Sequence, residues 1–172
     1  MLKLAGVGLL LFACAGWGFS VSWQMGERIR DLRELRRIAA LLRQEISYAG
    51  TALPEALRRI GSKVNRPFGE FLDRLARELV KYPGESFGMI FAEQVDEHLY
   101  KTALEPSDMA DFKELGRYLG YLDKEMQLAN LDLYLSETDE KLVRLAQELP
   151  ARKKLFQVLG VMAGLFLAIL FL

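Results

Sequence analysis

The chain of 172 residues contains one cysteine and one histidine. A lone Cys14 excludes an internal disulfide, and with His98 as the sole imidazole no Cys/His set exists for a metal site. Glycine-rich phosphate loops are also missing, because the glycines are scattered or lie in apolar ends. The serines are read as helix caps or as part of the first apolar run, which leaves no nucleophile–base pair. His98 stands beside Val95 and Leu99, at the margin of an apolar stripe, and reads as a packing residue. The acidic pairs Asp96/Glu97 and Asp108/Asp111 read as solvated helix positions. No catalytic residue, cofactor site or metal site is therefore expected, and the chain is read as a non-enzyme. Nucleic acid is not an expected partner either, since the arginine cluster has a topological explanation given below.

Charge is absent from both ends. No charged residue lies between Lys3 and Glu27, and none follows Lys154. A spanning helix needs about 20 mostly apolar residues, because about 30 Å of hydrocarbon is crossed at about 1.5 Å per residue. The expected organisation is an N-terminal transmembrane anchor over 1–26, a helical domain over 27–154 and a C-terminal transmembrane helix over 155–172. Arg28, Arg30, Arg33, Arg36 and Arg37 follow the first run, and Arg152, Lys153 and Lys154 precede the second. Basic flanks are retained on the cytoplasmic side, so the domain is expected there, with both termini outside. Leu11-Phe12-Ala13-Cys14 resembles a lipoprotein cleavage box, but Phe12 is bulky and the apolar run continues through Trp17, Phe19 and Val21. The expectation is a retained anchor with an unmodified Cys14.

Strand-like alternation is scarce, and apolar residues instead recur at spacings of three and four. Leu32, Leu35, Ala39, Leu42 and Ile46 mark a helix that continues the first span. Pro54 opens a second, with Ala56, Leu57, Ile60 and Val64 on its inner side. Asn65-Arg66-Pro67 breaks it, and Phe68, Phe71, Leu72, Leu75 and Leu79 form the next stripe. Ser86 is placed to cap a fourth helix, and Ser107 or Asp108 a fifth, with Phe112, Leu115 and Leu119 inward. The last helix carries Leu128, Leu131, Leu135, Thr138, Leu142, Leu145 and Leu149 in strict three-four alternation, a seam suited to pairing with the first. The fold class is all-α: transmembrane helices flanking an antiparallel six-helix cytoplasmic bundle.

Two surface features stand out. Between Glu85 and Glu140 only Lys101, Lys113, Arg117 and Lys124 are basic, against many acids. An acidic face holding Asp108, Asp111 and Glu114 is a candidate dock for a basic partner, with solubility as the competing explanation. Arg37, Tyr48 and Gln127 are the alternative docking positions. In the last span Gly160, Gly164 and Ala168 form a smooth ridge at which helix backbones can approach closely in lipid.

The segment Ile46-Ser47-Tyr48-Ala49-Gly50-Thr51-Ala52-Leu53-Pro54-Glu55 resembles the stage III sporulation protein AB family. So do Leu115-Gly116-Arg117-Tyr118-Leu119-Gly120, Asp123-Lys124-Glu125-Met126-Gln127 and the closing Leu159-Gly160-Val161-Met162-Ala163-Gly164-Leu165. Leu122 departs from the pattern, standing where a serine is expected before Asp123, which puts a helix cap at that turn in question. The resemblance implies a bundle similar to the cytoplasmic domain of type II secretion and pilus platform proteins. It implies a membrane platform or adaptor in the complex joining mother cell and forespore, in the mother-cell membrane, required for endospore formation. The implied partners are other membrane proteins of that complex, membrane lipid, and a hexameric ATPase, stage III sporulation protein AA. The alternative is a membrane-anchored regulatory or signalling module that dimerises through its helical seam.

Overall fold

The computed structural model describes the backbone of residues 2–48, 52–82, 86–120 and 123–171, and the side chains of 23–48, 52–82, 86–120, 123–150 and 162. Six helices are present and no strand among these residues: α1 Leu2–Tyr48, α2 Leu53–Gly61, α3 Phe68–Lys81, α4 Phe87–Leu99, α5 Pro106–Leu119 and α6 Lys124–Phe171. The chain divides into two units, one made of Met1–Ile29 with Val143–Leu172, the other of Arg30–Leu142. Among the described residues no helix is long and apolar enough to cross a membrane. The expected spans fall almost wholly on residues whose side chains lie outside that set, as do Gly160, Gly164 and Ala168.

In the Arg30–Leu142 unit the apolar stripes converge. Leu32, Leu35, Ile38, Ala39 and Leu42 of α1 are buried, as are Leu57, Ile60, Phe71, Leu72 and Leu75 of α2 and α3. The centre is aromatic. Phe71 meets Phe91 edge-on with centroids 5.5 Å apart, Phe91 lies 5.0 Å from Phe112, and Phe112 lies 6.0 Å from Tyr134. Such offset and edge-to-face pairs add to the stabilisation from buried area alone. Consecutive helices from α2 to α5 pack on one another.

The long helices pair antiparallel here. Arg36 forms a two-pronged ion pair with Asp139, and Arg43 does the same with Asp132. Seven residues forward on α1 match seven backward on α6, a two-turn repeat. These hydrogen bonds hold both aspartates below the usual carboxylate range. At the far end Lys124 donates to the Ser47 carbonyl at 2.7 Å. Of the α6 seam, Leu131 and Thr138 are buried inside this unit.

Three helix starts differ from the sequence reading or resolve it. α5 begins at Pro106, one position before Ser107, with Glu105 at the cap. Proline fits the first helical position, and the Glu105 N–H is taken by Asp108 Oδ2 at 3.0 Å from inside the first turn. Ser86 occupies the cap of α4, yet its hydroxyl makes no capping bond. The cap of α6 is intact despite Leu122, because Asp123 Oδ1 accepts the Met126 N–H at 2.9 Å.

Candidate functional site

The acidic positions singled out in the sequence separate on folding. Asp108 is not a surface charge: it is buried, its side chain fully covered, and it pairs with Lys141 at 2.9 Å. A buried carboxylate needs a partner charge and hydrogen bonds, and both are supplied here by Lys141 Nζ and the Glu105 N–H. Asp111, one helical turn on, takes the same ammonium at 2.7 Å while remaining half exposed. Burial works to lower the Lys141 pKa, but its bonds to Asp111 and Asp108 outweigh that and raise it. Lys141 thus pins α5 to α6, and only Asp111 of the two aspartates faces solvent.

Beyond Lys141 the α5–α6 seam opens into a groove of about 190 Å³. Asp111, Glu114 and Tyr118 line it from α5, and Asn130, Leu133 and Glu137 from α6. Their spacings of three, four and seven put each set on one helix face. Leu133 is 57% exposed and Tyr118 40%, large apolar surface left uncovered between acidic residues. Tyr118 reaches Glu114 with its hydroxyl at 3.4 Å. Tyr134 forms the floor; burial raises the pKa of its hydroxyl strongly, against the opposing hydrogen bond with Thr138, so it stays a neutral donor. Asp111 and Glu114 of the predicted set therefore come together. Leu133, Tyr118 and Glu137 were missed, because isolated exposed apolar residues on a helix carry no local signal and Glu137 is one acid among many between Glu85 and Glu140.

Of the alternative positions Arg37 stands apart, while the register that sets Arg43 against Asp132 brings Tyr48 level with Gln127 at the far end of the helix pair. Tyr48 is exposed at the end of α1, and Gln127 lies near the start of α6. Arg37 pairs with Glu34 at 3.8 Å, eleven residues from Tyr48, or about 16 Å along a helix rising about 1.5 Å per residue. Among the described residues no group of three His, Cys, Asp or Glu side chains is arranged to hold a metal ion.

Comparison with known proteins agrees with this architecture. Stage III sporulation protein AB of Bacillus subtilis (strain 168) is 28% identical over 171 residues, 99% of each chain. A solved structure of stage III sporulation protein AB shares the fold, with a TM-score of 0.66 at 23% identity over 72% of this chain and 97% of that one. The model of the family described as stage III sporulation protein AB matches residues 3–172, so this chain belongs to that family.

Proposed function

We propose that this chain is a non-enzymatic membrane platform or adaptor of the complex joining mother cell and forespore, and that it captures a basic-faced partner in the α5–α6 groove. The observation that carries the reading is Leu133 and Tyr118 left exposed between Asp111, Glu114 and Glu137. Apolar contact supplies the buried area of such a dock, while the acidic rim steers a basic partner and raises its association rate. The candidate occupant is the hexameric ATPase of the same complex, stage III sporulation protein AA. Anchoring is assigned to the charge-free runs at either end, each flanked by basic residues, with the bundle on the cytoplasmic side. The competing role, dimerisation through the α6 seam, is disfavoured because Leu131 and Thr138 are already covered within the chain.

The test reverses Glu114 and Glu137 together to Lys, leaving Asp108, Asp111 and Lys141 in place. The double variant keeps its circular dichroism and melting temperature, captures less of the ATPase in pull-down at low salt, and sporulates poorly. Single reversals have small effects, because exposed charges contribute little one at a time. A folded double variant with full capture and full sporulation refutes the groove as the dock.

A further inference from the structure

The Arg30–Leu142 unit has two ends, and its turns give one of them a basic surface. Successive helices run in alternate directions, so every second turn returns to the end where the chain enters at Arg30 and leaves at Leu142. Two bonds fix which turns these are. Asn65, in the α2–α3 turn, donates its side-chain amide to Glu34 Oε1 at 2.9 Å. Ala103, in the α4–α5 turn, donates its N–H to Asp31 at 2.8 Å. Lys141 joins the same end from α6 through Asp108. The opposite end is the one where Lys124 meets Ser47.

Folding thereby gathers basic residues that are far apart in sequence. Arg30 and Arg33 are exposed on α1, Lys63 and Arg66 on the α2–α3 turn, and Lys101 just after α4. Acids at this end are already engaged. Asp31 and Glu34 hold the two turns, and Glu70 pairs with Arg66 at 3.1 Å. Asp108 takes Lys141, and Glu105 closes the capping box of α5. Among the described residues Arg33, Lys63 and Lys101 have no ion-pair partner. Beside Lys101 stands Tyr100, 62% exposed, with the Lys101 ammonium 5.2 Å from its ring centroid. An amphipathic ring next to a long cationic side chain suits a water–lipid boundary, where the ring lies at headgroup depth and the ammonium reaches phosphate.

We propose that this end of the bundle docks on the anionic headgroups of the membrane, with Lys63, Lys101 and Tyr100 as its contact points. The proposal rests on the anchoring assigned above. Only four residues separate Gly26, the last of the first charge-free run, from Arg30, at most about 14 Å of fully extended chain. It goes beyond that anchoring, because Lys63 and Lys101 lie more than about 20 residues from either run, outside the reach of the orientation rule. Basic residues near a negatively charged leaflet are attracted to it, and the attraction fades within a Debye length. The occupant is lipid rather than another polyanion, which would have to enter between this end and the chain's own bilayer.

The full-length Cys14→Ser chain is placed in nanodiscs of phosphatidylcholine alone or mixed with phosphatidylglycerol. A fluorophore on Ser62→Cys or Ser107→Cys, both at this end, reads proximity to a nitroxide quencher attached to lipid headgroups. Gln44→Cys, exposed toward the opposite end, is the control. Both test positions are quenched at least about twofold more in the anionic discs, and the difference disappears at 1 M salt, where the Debye length is about 3 Å. Lys63→Gln with Lys101→Gln lowers the docked-to-undocked ratio by about fivefold per charge and returns the labels to the neutral-disc level. Lys63→Arg with Lys101→Arg retains the quenching, and both variants keep the wild-type melting temperature. Equal quenching in the two kinds of disc, wild-type quenching in the Gln variant, or equal quenching at Gln44 overturns the proposal. Quenching abolished by added duplex DNA at low salt overturns the assignment to lipid. A chain firmly held in the discs with unquenched labels at Ser62 and Ser107 refutes the docking end alone. A chain released from neutral discs refutes the anchors. If it then sediments with anionic vesicles and the Gln variant does not, the docking end stands without them; if it sediments with neither kind of vesicle, both fall.

Discussion

The Asp31 carboxylate accepts the Ala103 N–H at 2.8 Å, tying α1 to the turn after α4. Burial, the largest influence on it, raises its pKa above the ordinary value despite that bond and the nearby Arg30. The sign follows directly. An acid whose folded pKa is raised binds its proton more tightly folded than unfolded, so its ionised form opposes folding above that pKa and the opposition vanishes below the unfolded value of about 3.9. Asp31→Asn keeps an acceptor for Ala103 without the charge. It is expected to stabilise the chain at neutral pH, with the gain shrinking as pH falls through the raised folded pKa and gone below about 3.9. Denaturant midpoints at the two pH values check this, and a variant less stable at neutral pH contradicts it. Single positions were also where sequence reading failed. Phe71, Phe112 and Leu131 were legible as core from spacing and are fully buried. Asp108 was not, because its partner Lys141 lies 33 residues away and no local pattern announces it. Tyr134 was passed over for its polar tip, and Ile38 because it stands directly before Ala39 in a stripe wider than one residue per turn.

Helix pairing gives a physical content to one of the family-like segments. Gly116 and Gly120, four apart at the end of α5, face Phe91 and Phe87, four apart at the start of α4. A methyl group at Gly116 would overlap the Phe91 ring, and one at Gly120 would lie 2.6 Å from Phe87 Cβ. Small residues at this spacing let the two helices approach with aromatic ridges set into a glycine groove. Gly116→Ala raises helix propensity by up to about 1 kcal/mol, yet forces Phe91 out of the aromatic cluster. Overpacking of this kind costs about 1–3 kcal/mol, so the balance is a lower melting temperature, read by thermal denaturation. An unchanged or higher melting temperature would mean that α4 and α5 can separate at no cost. The spacing of Gly116 and Gly120 was visible in the sequence, but their facing pair was not, since nothing local says which helix lies opposite. The same holds for the groove: each wall shows as a stripe on one helix, and the cavity exists only once α5 meets α6.

Placement of the chain in a membrane is the proposal with most at stake, since the proposed platform has to present its bundle to the compartment that holds its partner. The argument rests on charge asymmetry. Arg28, Arg30, Arg33, Arg36 and Arg37 crowd one end of the first apolar run, Arg152, Lys153 and Lys154 one end of the second, and only Lys3 lies beyond either. Two independent flanks vote for the same orientation, and the rule counts positive residues close to the spans, as these are. Arg36 is also held by Asp139, but carboxylates count little in this rule, so the vote is unchanged. Ser107 and Ser136 are exposed in the bundle and suit single-cysteine probes in a Cys14→Ser background. With an impermeant maleimide, both positions are expected to stay unlabelled in intact cells and to react after lysis, while a cysteine replacing Leu2 labels from outside. Labelling of Ser107→Cys or Ser136→Cys in intact cells inverts the orientation. It would put the acidic groove on the side away from any cytoplasmic ATPase and remove that partner from consideration. Recovery of the chain in the aqueous fraction after carbonate extraction would remove the anchors themselves, because a helix that spans the bilayer is not released by breaking charge contacts.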